Sequence, residues 1–87
     1  MELKDDVKRL LETLRQERDE LRVRMHLAKL EVQQEWEKAE KQWESFKAKA
    51  GEVLEDTKEV AADLAESAKA IGEELKNVYL RIRERLT

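Results

Sequence analysis

The chain has 87 residues, of which 45% are charged and 5% aromatic, with two Gly, no Pro and no Cys. That length makes one unit rather than several domains, and the scarcity of turn residues argues against a mixed α/β domain. Eighteen bases against 21 acids, net −3, give no overall attraction to nucleic acid, and without Cys there are neither disulfides nor thiolate metal sites.

High charge and low hydropathy are also the signature of disorder. Two features favour helices instead. The net charge is small, so self-repulsion is weak, and Glu, Lys, Arg, Leu and Ala, all strong helix formers, dominate the composition. The first ten residues, MELKDDVKRL, contain no apolar h-region, so no secretory signal is expected there. No apolar run approaches a membrane span. The simplest expected location is the cytoplasm.

From Leu3 onward, steps of three or four visit Val7, Leu10, Leu14, Arg18, Leu21, Met25, Ala28, Val32, Trp36, Ala39, Trp43, Phe46, Ala50 and Val53. The walk continues through Thr57, Val60, Leu64, Ala68, Ile71, Leu75, Val78, Ile82 and Leu86, and only Arg18 and Thr57 are polar. The mean step of about 3.6 is the α-helical period. Extra apolar residues widen the stripe early, at Leu11, Leu27 and Leu30, and late, at Leu54, Ala61, Ala65, Tyr79 and Leu80. A wide face packs against more than one neighbour, a narrow one along a single seam.

These patterns predict an all-α protein of long amphipathic helices, one unit over residues 1–87. The expected form is an antiparallel coiled-coil hairpin, or a helical bundle made by self-association. Gly51 is the best turn candidate, because Gly ends helices in the left-handed conformation. The expected helices are therefore about 2–49 and 52–86, although the stripe crosses Gly51 without changing phase. Charge favours antiparallel contact. Residues 8–29 are net +3, residues 52–75 net −6, and residues 76–87 net +3. Reversal sets unlike segments side by side, with Arg81, Arg83 and Arg85 beside the acidic start. Two helices close only part of a core, so a homo-oligomer is expected. Its core seam would run through Leu14, Leu21, Met25, Val32, Trp36, Trp43, Phe46, Leu64, Ile71, Leu75 and Ile82.

Candidate chemical sites are sparse. His26, the only His, has no carboxylate three or four residues away. Glu31, Glu35, Glu37, Glu40 and Glu44 lack the Glu-x-x-His pattern of carboxylate metal centres and read as wet helix surface. Ser45 and Ser67 have no neighbouring His, and there is no Gly-rich phosphate loop. No catalytic residue, cofactor or metal is expected. In LRIRERL the three Arg alternate across a helix rather than forming one face, as bases complementing a helix C-terminus do. Trp36 and Trp43 lie two turns apart on the stripe and read as core.

LRVRMHLAKLEVQQEWEKAEKQWESFKAKAG, followed by AADLAESAKAIGEEL, resembles small uncharacterised bacterial coiled-coil proteins, some of them linked to stress responses. KAKAGEVLEDTKEVAADLAESAKAIGEEL is similar to the eleven-residue repeats of late-embryogenesis-abundant proteins, but with fewer Thr and Lys and larger apolar residues. The residue pattern and the sparse chemistry together predict a non-enzymatic coiled-coil protein that self-associates and acts as a structural or adaptor element, its protein partner unidentified. The alternative is an amphipathic stress-response protein that binds membrane surfaces or protects other macromolecules. Membrane contact is the less expected of the two, because anionic lipid would repel residues 52–75.

Overall fold

A computed structural model describes residues 3–55 and 62–86. Three helices, α1 (Leu3–Arg24), α2 (Leu30–Glu55) and α3 (Ala62–Leu86), pack into a rod of 45 × 20 × 16 Å. Charges suit the dipoles of the first and third in chain order: Asp5 and Asp6 open α1, and Arg22 and Arg24 close it; Asp63 opens α3, and Arg83 and Arg85 close it.

The helix breaks differ from the expected hairpin of 2–49 and 52–86. Gly51 lies inside α2, with no left-handed conformation. The first reversal falls instead at residues 25–29. Met25–Leu27 form one tight 3-10 turn, and Ala28 is extended at φ −79°, ψ 152°. Backbone bonds close the corner, from Ala28 N to Met25 O at 3.2 Å and from Val32 N and Gln33 N to Lys29 O at 3.0 Å. The Gln33 amide adds two more, donating to Met25 O and Ala28 O, each at 3.2 Å. A side chain from the next helix thus satisfies carbonyls that a helix end leaves open. No Gly, Pro, Asn or Asp takes part, which is why turn residues give no sign of this corner.

The helices run up, down and up. Trp36 meets Tyr79 and Lys49 meets Ser67, so α2 and α3 are antiparallel. Lys69 pairs with Asp6 and Arg83 with Glu20, a constant offset of 63 residues, so α1 and α3 are parallel. The expected placement of Arg81, Arg83 and Arg85 beside the acidic start is therefore corrected. Arg83 reaches Glu20 and Arg85 reaches Glu35, at the opposite end of the rod. Weak exposed ion pairs yield to the packing of a third helix.

The core closes within one chain. Val7, Leu14, Leu21 and Met25 come from α1 and its turn, and α2 contributes a heptad line from Val32 to Val53. On α3 the most buried line is Ala65, Ala68, Gly72, Leu75, Tyr79 and Ile82. Leu64, Ile71 and Val78 flank it, half-buried. This helix is wedged against both others, so two adjacent lines of its surface are used. At Gly72 the approach is closest: a Cβ there would lie 2.4 Å from Leu10 Cδ2 and 2.7 Å from Phe46 Cε1. Around Gly51 nothing lies within 4 Å of the corresponding position. Thr57, Val60 and Ala61, which belong to the expected stripe, lie outside the described residues.

Candidate functional site

Of the expected seam residues, Leu14, Leu21, Met25, Val32, Trp36, Trp43, Phe46, Leu75 and Ile82 are buried, and Leu64 and Ile71 pack beside them. They meet within one chain. The fold also joins residues far apart in sequence. Trp36 stacks on Tyr79, with ring centroids 5.9 Å apart and planes at 27°, because α3 returns antiparallel to α2.

Arg18, the one described polar residue on the stripe, is the centre of a half-buried cluster. Its Nε donates to Glu40 Oε1 and its Nη2 to Glu40 Oε2, both at 2.7 Å. Such a two-pronged pair fixes geometry as well as charge. The guanidinium carbon also lies 5.6 Å from the Trp43 ring centroid, in the range of cation–π attraction. The hydrogen bond to Glu40 outweighs partial burial and raises the Arg18 pKa above its ordinary value. Glu40, expected as wet surface, is thus a partner of the core boundary. Glu35 is likewise engaged, by Arg85 at 2.7 Å.

Tyr79 completes the cluster from α3. Burial, reinforced by the Glu40 charge, pushes its phenol pKa well up, against a smaller opposing pull from Arg18. Its hydroxyl is buried and has no hydrogen-bond partner among the described residues, as is the case for Glu17 Oε2 and Gln42 Oε1. Sequence reasoning missed Glu40 and Tyr79. The visible signal was Arg18 itself, a lone base where the stripe should be apolar.

The cluster does not assemble a nucleophile with a base: its Arg is held by a carboxylate and its phenol stays protonated. Among the described residues no three His, Asp or Glu side chains are grouped to hold a metal ion. Glu44 pairs with Lys47 at 3.4 Å, and Ser67 accepts a hydrogen bond from Lys49 at 3.3 Å. A shallow cavity of about 240 Å³ between α2 and α3 is lined by Glu35, Lys38, Gln42, Val78 and Arg81, with charges of both signs. The cluster's chemical effect is to fix how α1, α2 and α3 align.

The α1–α2 corner is the second feature. Val23, Leu27 and Leu30 are 72%, 95% and 68% exposed, and His26 is exposed between them. The corner therefore presents apolar side chains to solvent on a hydrogen-bonded frame.

The fold defines a three-helix bundle. Comparison with protein-family models, curated proteins and solved structures yields no match. No described helix is long and apolar enough to cross a membrane.

Proposed function

We propose that the chain is a non-enzymatic helical module that acts as a structural or adaptor element. The observation that carries this reading is a core closed within one chain beside a corner that leaves Val23, Leu27 and Leu30 uncovered. A bundle that satisfies its own core yet displays apolar side chains at one end is built to be joined there. The expectation of self-association rests on two helices leaving a core open. Three helices remove that need, so a second copy would have to join through the surface. The closed core also weighs against folding only on lipid.

The test is site-specific photo-crosslinking in the cell of origin, with the crosslinker placed at Leu27 and, as control, at exposed Ala48 on the flank of α2. An adaptor gives a defined protein adduct from the corner and none from the flank. Identical diffuse labelling from both positions would overturn the reading. An adduct of doubled mass, made only of this chain, identifies the partner as a second copy.

A further inference from the structure

The sequence places one basic segment in the second quarter of the chain and another at the C-terminus, some fifty residues apart. Parallel packing of α1 and α3 brings them to the same end of the rod, since Arg83 reaches Glu20. Residues 20–31 and 81–86, with Glu35 that Arg85 reaches, together hold six bases and four acids, net +2, in a chain of net −3. The rest of the chain therefore carries −5. Arg22, Arg24 and Lys29 are exposed and have no ion-pair partner among the described residues. They alternate in sequence with Val23, Leu27 and Leu30, which are the corner's exposed apolar residues.

We propose that the α1–α2 corner is a lipid-docking tip, in which Leu27, with Val23 and Leu30, enters the headgroup region of an anionic membrane while Arg22, Arg24 and Lys29 meet the lipid charge. Three observations select this occupant. The first is sign. A second copy applied through the same corner would set Arg22, Arg24 and Lys29 against their own kind, whereas an anionic surface complements them. The second is area. Three such side chains offer on the order of 300 Å² of apolar surface, against about 800 Å² per partner in a stable protein interface. A lipid interface has no such threshold, because binding grows with each apolar side chain inserted and each base near the headgroups. The third is position: the corner joins α1 to α2 at one end of a rod of 45 × 20 × 16 Å, so it can meet a surface end-on.

Repulsion by the acidic segment, which argues against membranes in the linear sequence, is answered by the fold. Asp63 and Glu66 lie about 25–30 Å along α3 from Arg83 and Arg85, and even Glu74 about 14 Å. Physiological salt screens exposed charges beyond about 8 Å. Asp63 and Glu66 thus lie at the far end of α3 from a membrane met end-on. The docking is that of a folded bundle, so it differs from an amphipathic helix that forms on lipid.

Vesicle flotation of the full chain tests this, comparing pure phosphatidylcholine with vesicles containing about 30% phosphatidylserine. Anionic vesicles should carry the protein at about 0.15 M salt, neutral ones should not, and helicity should stay constant. Leu27→Asp should lower the partition coefficient at least ~10-fold. Joint replacement of Arg22, Arg24 and Lys29 by Gln should lower it ~100-fold, at about fivefold per base. Leu27→Asp should melt like the parent, and the triple variant a few degrees lower, because it removes the two bases that complement the α1 dipole, with the fold kept. Because the chain has no Cys, Leu27→Cys carries a single environment-sensitive fluorophore, whose emission should move to the blue on anionic vesicles only. No flotation at about 1 mM anionic lipid, or flotation that Leu27→Asp leaves intact, would refute the tip. Tip-dependent binding of a Glu-rich helical peptide without vesicle binding would refute it too, assigning the corner to an acidic protein. A defined protein adduct from Leu27 in the crosslinking experiment would refute the tip as well, whereas tip-dependent flotation with no such adduct would keep the tip and overturn the corner as the adaptor's protein contact.

Discussion

The two glycines permit a controlled test of the packing. Both Gly51 and Gly72 lie in helices, so replacing either by Ala gains the same helix propensity, about 1 kcal/mol. Their surroundings differ. A methyl at Gly51 meets nothing within 4 Å, so Gly51→Ala should stabilise by about 0.5–1 kcal/mol. At Gly72 the added carbon would fall 2.4 Å from Leu10 Cδ2 and 2.7 Å from Phe46 Cε1, about 1 Å short of ordinary contact. Leu10 is half-exposed and can swing aside, but Phe46 is fully buried and can move only by shifting a helix. Overpacking of this kind costs about 1–3 kcal/mol, which offsets or exceeds the propensity gain. Gly72→Ala should therefore be neutral to about 2 kcal/mol destabilising. The propensity terms cancel between the two variants, and their difference, about 1–3 kcal/mol, isolates the packing. Urea unfolding followed by circular dichroism measures both, and the melting temperatures should separate by roughly 5–20 °C. Equal stabilisation by the two changes would mean that α3 is not wedged between α1 and α2 as described. Destabilisation by Gly51→Ala would mean that this glycine ends a helix in the left-handed conformation, and the hairpin of 2–49 and 52–86 would return.

The Arg18–Glu40 pair should show a coupling of about 1–2 kcal/mol in a double-mutant cycle of Arg18→Met and Glu40→Gln, above the usual exposed pair because both side chains are partly buried; zero coupling would place the two groups apart. Tyr79→Phe removes a buried hydroxyl that has no partner among the described residues, so it should be neutral or stabilise by about 1 kcal/mol in the same unfolding assay. The phenol's folded pKa is raised above its ordinary value of 10.0, so its share of stability is complete below that pH and lost as pH rises through it toward the folded value. The parent should accordingly lose about 1.4 kcal/mol per pH unit more than Tyr79→Phe above pH ~10, with phenolate absorbance appearing as the chain unfolds. Parallel alkaline curves for the two proteins would place Tyr79 in solvent.

The sequence determined that this chain is helical and which faces turn inward. A 3.6-residue period of apolar residues is a local property, and burying it is favourable whatever the partner. Leu14, Trp43, Phe46 and Leu75 were therefore identifiable as core without coordinates. The width of the stripe near Leu64, Ala65 and Tyr79 matches a helix that touches two neighbours, whereas Leu27 and Leu30, which widen it early, lie exposed at the corner. Only the tertiary structure decided where the chain turns. The corner at residues 25–29 uses a 3-10 turn and the Gln33 amide instead of turn residues, and it preserves the phase of the stripe, so no break is written in the pattern. Direction, too, needed the third helix. With two helices, charge favours setting the C-terminal Arg beside the acidic start; with three, apolar packing outweighs those exposed pairs and carries Arg83 to Glu20. The meeting of Trp36 with Tyr79, the Arg18–Glu40 clasp and the gathering of basic segments around Leu27 follow from that register. Each joins residues far apart in the chain, and periodicity, a property of neighbours, holds no information about it.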